Sequence, residues 1–132
     1  MRIEGITKKE LAEMLNGCEY GYETTRREQA LAEANGLVIV CGYSDDCMEF
    51  FGALREEVYC FDGGTAYVTK SAVFQMDDKD DAPEEAREIR AIWCAPDSPP
   101  WTYETDIHHE TFSVYEDGEV FCVGIVFGLE DL

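Results

Sequence analysis

The sequence predicts an α+β fold, with two N-terminal helices packed on a largely antiparallel sheet and a short additional acidic helix. Three observations carry this. Two segments in the first 36 residues open on a capping residue and close on Asn-Gly. From Leu37 onward, β-rich runs alternate with short turns. The 132 residues, 45% of them apolar, suffice for the core of one domain spanning 1–132.

The first helix is announced by Thr7-Lys8-Lys9-Glu10, a capping box with Thr7 as N-cap and Glu10 at N3. Leu11, Met14 and Leu15 follow at helical spacing, and Asn16-Gly17 is the stop. The second helix repeats the pattern. Thr25 caps it, Glu28 sits at N3, Ala30, Leu31 and Ala34 form its apolar face, and Asn35-Gly36 ends it.

Leu37 to Cys41 is a continuous apolar run, as expected of a buried central strand. After the turn at Ser44-Asp45-Asp46, Cys47–Leu54 and Glu57–Phe61 read as strands. Asp62-Gly63-Gly64 then predicts a hairpin joining Glu57–Phe61 to Thr65–Thr69. Asp77 to Glu85 reads as an exposed acidic loop running into a short helix that starts near Pro83. Ile89–Cys94 leans towards strand. Three prolines make 95–100 a loop. Trp101–Ile107 alternates, with Trp101, Tyr103, Thr105 and Ile107 on one face and Thr102, Glu104 and Asp106 on the other. Thr111–Tyr115 and Val120–Phe127 flank Glu116-Asp117-Gly118-Glu119 as a second hairpin.

Charge is the outlying property. Ten basic residues face 29 acidic ones, for a net −19, and after Arg90 no Lys or Arg occurs. Such a surface repels nucleic acid and anionic membranes and attracts basic protein surfaces. Self-repulsion also opposes compaction. The melting temperature is therefore expected to rise as NaCl goes from about 0.01 to 0.1 M, where the screening length falls from ~30 to ~10 Å. A melting temperature that falls over this range would show that repulsion is not a stability determinant.

Met1-Arg2-Ile3-Glu4 leads into no apolar run, so no signal peptide is expected, and no stretch reaches the ~20 apolar residues of a membrane helix. The expected location is the cytoplasm. The six cysteines form no CxxC pair and lie mostly among apolar neighbours, which fits free, buried thiols.

Catalytic and metal motifs are missing. The two histidines, His108 and His109, are adjacent, and strand neighbours point to opposite faces. Asp45-Asp46, Asp77-Asp78 and Asp80-Asp81 lack the register of a calcium loop. No GxSxG, GxxxxGK[ST] or GxGxxG occurs. The expectation is a non-enzyme with no cofactor, no catalytic residue and no metal ligand.

What remains is the acidic surface. Residues two apart on a strand face, such as Glu104 and Asp106, are spaced about 6.8 Å along the chain, and a DNA strand carries one charge per ~3.4 Å. Rows of exposed carboxylates can therefore imitate a phosphate track. The candidate partner-binding residues are Asp77, Asp78, Asp80, Asp81, Glu84 and Glu85, with Glu104 and Asp106 as a second patch.

Several segments are also familiar as a set. They are Leu15-Asn16-Gly17 with Glu19-Tyr20-Gly21, Gly36 to Val40, Gly42 to Asp46, Glu49-Phe50 with Gly52-Ala53, and Asp62 to Thr65. Trp101 to Ile107, Glu116 to Glu119 and Gly124 to Phe127 complete it. Together they resemble small acidic proteins encoded by phages and prophages, some of which look like anti-CRISPR proteins. The resemblance implies an inhibitor that occupies the basic DNA-binding surface of a CRISPR effector complex, without itself touching nucleic acid. The alternative is a phage or host regulatory protein that docks on another basic protein, such as a nuclease, a repressor or RNA polymerase.

Overall fold

A computed structural model of the protein describes residues 5–19, 26–42, 47–59, 64–75, 79–93 and 101–132. Its helices are α1 (Lys8–Leu15) and α2 (Arg26–Ala34). Its strands are β1 (Cys18–Glu19), β2 (Leu37–Gly42), β3 (Cys47–Gly52), β4 (Glu56–Tyr59), β5 (Thr65–Val68), β6 (Val73–Gln75), β7 (Arg87–Trp93), β8 (Trp101–Glu104), β9 (Glu110–Glu116) and β10 (Glu119–Gly128). The fold class is α+β.

The cap on α1 forms as its sequence dictates, with the Glu10 backbone N–H donating to Thr7 Oγ1 at 3.1 Å. Leu11, Ala12 and Leu15 are its buried residues, whereas Met14 is exposed. Thr25, the expected cap of α2, lies outside the described residues. The apolar face of α2 is also not the expected one. Ala32 is its buried residue, and Leu31 is only half-buried. The reason is proximity: α2 lies so close to β3 that a small side chain must face the sheet, and Ala32 packs at Gly52.

Two sheets form where one was expected. The larger runs β1-β9-β10-β2-β3-β4 and the smaller β6-β5-β7-β8. Every pairing is antiparallel except the short parallel contact of β1 with β9. β2 is buried at all six positions, as its apolar run predicts. A strand buried on both faces needs cover on both sides. α2 packs against β2 and β3, and Ala66, Val68, Ile89 and Ala91 of the smaller sheet join the same core cluster.

The predicted hairpin between β4 and β5 does not form. β4 pairs with β3, whereas β5 pairs with β6 and β7. Burial explains the split: β4 buries only Val58, while Ala66, Tyr67 and Val68 of β5 are all buried. The acidic helix near residues 83–89 is also corrected. Lys79–Asp81 makes a single 3-10 turn, Ala86 N–H closes a turn onto the Pro83 carbonyl at 3.0 Å, and Arg87 already begins β7. In β7, Ile89 and Ala91 are buried and Glu88 and Arg90 exposed, a strand period that overrides the helix start signalled by Pro83.

The C-terminal 3-10 turn, Leu129–Asp131, fastens the assembly. Asp131 Oδ2 accepts from the Gly128 N–H at 2.8 Å and from Lys8 Nζ at 3.2 Å, and Arg87 donates to the Asp131 carbonyl at 3.2 Å. One carboxylate thus joins the start of α1 to the end of β10. Both partners of the ion pair are mostly shielded, at 19% and 16% side-chain exposure, so solvent screens it little. Asp131→Ala is expected to cost about 1.5–3 kcal/mol, the range for losing hydrogen bonds to a charged group. The neighbouring exposed Glu130→Ala should stay within about 0.5 kcal/mol of wild type. Urea unfolding of the two variants makes the comparison, and equal midpoints would remove Asp131 from the account of stability.

Candidate functional site: an acidic groove on the smaller sheet

Register defines the two faces of the smaller sheet. Ala66 opposes Ile89, and Ala91 opposes Tyr103, on the face turned to the core. Tyr67 opposes Glu88, and Arg90 opposes Glu104, on the other face. Across this outer face runs a groove of about 670 Å³, whose lining includes Tyr67, Asp80, Glu84, Arg87, Glu88 and, opposite them in sequence, Glu104 to Asp106.

The groove unites two acidic segments that the sequence keeps apart. Asp80 and Glu84, from the segment leading into β7, share it with Glu104 and Asp106, from the end of β8. Asp81 and Glu85 are exposed beside it without lining it. Asp77 and Asp78 lie outside the described residues. Of the alternation expected for Trp101–Ile107, the burial from Tyr103 onward follows it, with Ile107 buried and Glu104 and Asp106 exposed, whereas Thr102 is half-buried like Tyr103; β8 ends at Glu104.

Three charged residues in or beside the groove escaped the sequence reading: Arg87 and Glu88, which line it, and Arg90, which pairs with Glu104. Glu88 adds a fifth carboxylate to the lining. The arginines bring opposite charge. Arg87 reaches Asp106 at 3.0 Å, and Arg90 reaches Glu104 at 3.5 Å. Exposed pairs of this kind contribute little to stability, about 0–1 kcal/mol each. Their effect is to offset part of the local charge. Glu84 and Glu88 make no ion pair among the described residues. The signal that could have found Glu88 was its alternation with Ile89 and Ala91.

The lining is rich in carboxylates. It contains no Ser, Cys or His among the described residues, and its one hydroxyl beside Tyr67, on Thr105, donates to the Glu88 carbonyl at 2.7 Å. The histidines are engaged separately. His108 meets Lys8 through Nδ1, and His109 Nδ1 lies 2.6 Å from the Ile107 carbonyl.

One set of metal-type donors does converge elsewhere. Cys47 and Glu49 of β3 and Glu57 of β4 place their donor atoms within 4.8 Å of one another. They share a face because Cys47 and Glu49 are two apart on β3 and Glu49 opposes Glu57. Of the paired-Asp motifs weighed from sequence, Asp80-Asp81 does not contribute to this set, and Asp45-Asp46 and Asp77-Asp78 lie outside the described residues. Next to it, the Glu57 carboxylate pushes the exposed Tyr59 phenol up from its usual range, by charge first and by hydrogen bonding second.

Among the described residues, no helix is long and apolar enough to cross a membrane. Compared with protein-family models, with curated proteins and with solved structures, the chain finds no match in any of the three.

Proposed function

We propose that the chain is a binding protein rather than an enzyme, an acidic inhibitor that covers a basic DNA-binding surface of another protein. The single observation that carries this reading is the groove, where Asp80, Glu84, Glu88, Glu104 and Asp106 meet although the sequence separates them into two segments. A net charge of −19 adds a long-range attraction to any basic partner. The resemblance to anti-CRISPR proteins of phages makes a CRISPR effector complex of the bacterial cytoplasm the first partner to test. The test is competition: the purified protein against target DNA for the effector complex, at 50 and 200 mM salt. Displacement of DNA that weakens steeply over this range supports the reading, because contacts that stand in for phosphates are salt-dependent. Binding that ignores salt, or no displacement at either concentration, rejects it.

The arginines favour a second reading. A surface copying only phosphates needs no cations, yet Arg87 and Arg90 sit among the carboxylates. Mixed charge suits a tailored contact with a particular basic protein, such as a nuclease, a repressor or RNA polymerase, which the chain would regulate without imitating DNA. Affinity capture from lysates with and without the CRISPR complex separates the two readings. Metal analysis of the purified protein separates both from a metal-dependent enzyme built on Cys47, Glu49 and Glu57.

A further inference from the structure

Four described cysteines, Cys18, Cys41, Cys47 and Cys122, are free thiols, and the last three are buried, as their apolar neighbours led one to expect. Two of them touch. Cys41 lies on β2 and Cys122 on β10, strands that pair directly at the centre of the larger sheet. Their Sγ atoms are 3.6 Å apart, at van der Waals contact. Cys41 opposes Gly124, so Cys122 is its diagonal neighbour two residues along. A register shift between Val120 and Cys122 interrupts the ladder of β10 with β9, on the side of Cys122 away from β2. Of the other two thiols, Cys18 points its Sγ at the Met14 carbonyl, and Cys47 sits with Glu49 and Glu57, Glu49 also lying opposite Cys41.

We propose that Cys41 and Cys122 form a reversible disulfide under peroxide, a redox-sensitive latch across the two central strands of the larger sheet. The sulfurs must close by roughly 1.5 Å to reach the ~2.05 Å bond. Either thiol can donate to the other, and Cys41 Sγ also lies 3.6 Å from the Gly42 carbonyl. The contact holds the Cys122 thiol below its usual range and, together with burial, pushes the Cys41 thiol well up. Cys122 as thiolate attacks one peroxide oxygen, the O–O bond breaks, and the leaving oxygen departs as hydroxide, leaving a sulfenic acid on Cys122. The Cys41 sulfur then attacks that sulfur. The S–S bond forms, the S–O bond breaks, and the Cys41 proton leaves with the oxygen as water. Two thiols give up two electrons and two protons, and hydrogen peroxide becomes two waters. A dithiol reverses the bond by exchange.

The experiment uses the full chain, reduced, desalted and treated with hydrogen peroxide, then alkylated in denaturant and mapped without reduction. The expected result is a peptide linking Cys41 to Cys122 and a loss of two of the six alkylatable thiols. The bond closes a long loop, so the melting temperature should rise by at least about 5 °C and return with dithiothreitol. Cys41→Ser and Cys122→Ser should each abolish both effects. Six alkylatable thiols after treatment, oxidation confined to Cys18 or Cys47, or a temperature rise that persists in Cys41→Ser would each overturn the proposal.

Discussion

Gly52→Ala is expected to lower the melting temperature by more than about 10 °C, whereas Gly118→Ala should lower it by only a few degrees. Both glycines have φ near +84°, so the backbone strain imposed by a Cβ is the same at both positions. That strain is about 1–2 kcal/mol. Their surroundings differ. A Cβ on Gly118 meets nothing within 4 Å, because Asp117-Gly118 is an open hairpin turn. A Cβ on Gly52 would sit 2.6 Å from the Leu37 carbonyl oxygen and 2.8 Å from Ala32 Cβ. Neither neighbour is the end of a flexible side chain. One is backbone of the buried strand β2, and the other is the residue by which α2 touches the sheet. Overpacking of this kind adds about 1–3 kcal/mol or more to the strain. Thermal unfolding of the two variants decides, since strain alone predicts equal losses. Equal losses would show that α2 can move away freely and that its close packing on β3 contributes nothing.

The same contact shows what the sequence could and could not say about the fold. Helix α1 was legible because its signal is local: Thr7 and Glu10 are three residues apart and meet through one backbone hydrogen bond. β2 was legible because an uninterrupted apolar run needs cover on both faces. The face of α2 was not, because Ala32 is chosen by the distance to Gly52, a residue 20 positions away. Nor was the division into two sheets. Asp62-Gly63-Gly64 is a sound turn signal, but a turn does not determine whether the strands beside it pair. That depends on burial, and β5 is drawn to β7 by the Ala66–Ile89 and Val68–Arg87 register. In β7 the local signal was misleading, since Pro83 opens a turn and the strand period prevails from Arg87 onward.

The site was legible as charge and not as shape. Runs of Asp and Glu around 77–85 and the alternation at Glu104 and Asp106 mark exposed carboxylates. Nothing local says that the two segments border one groove, because β7 brings them together through pairings with β5 and β8. The same pairing places Glu88 in the groove and sets Arg90 against Glu104. The Cys47–Glu49–Glu57 set was hidden for a similar reason: it depends on the register of β3 against β4.

Reversing Glu84 and Glu88 to lysine together is expected to reduce affinity for the basic partner by about 100-fold or more. These two are chosen over Glu104 and Asp106 because the latter hold Arg90 and Arg87. Lysines there would oppose the arginines and confuse folding with binding. Single Glu→Ala changes should be mild, since exposed charge pairs contribute about 0.2–1 kcal/mol each. The double reversal acts differently, because it presents like charge to the partner, which costs several kcal/mol, and every 1.4 kcal/mol is tenfold in affinity. Net charge changes by the same amount if Glu116 and Glu119 are reversed instead. That pair lies at the β9–β10 turn, exposed and not part of the groove lining. Folding should survive both double reversals, as all four side chains are exposed. Competition against DNA for the partner then reads the difference. If the Glu84 and Glu88 reversal competes as well as wild type, the groove is not the contact surface. If the Glu116 and Glu119 reversal is equally impaired, the partner responds to total charge, and the groove confers no specificity.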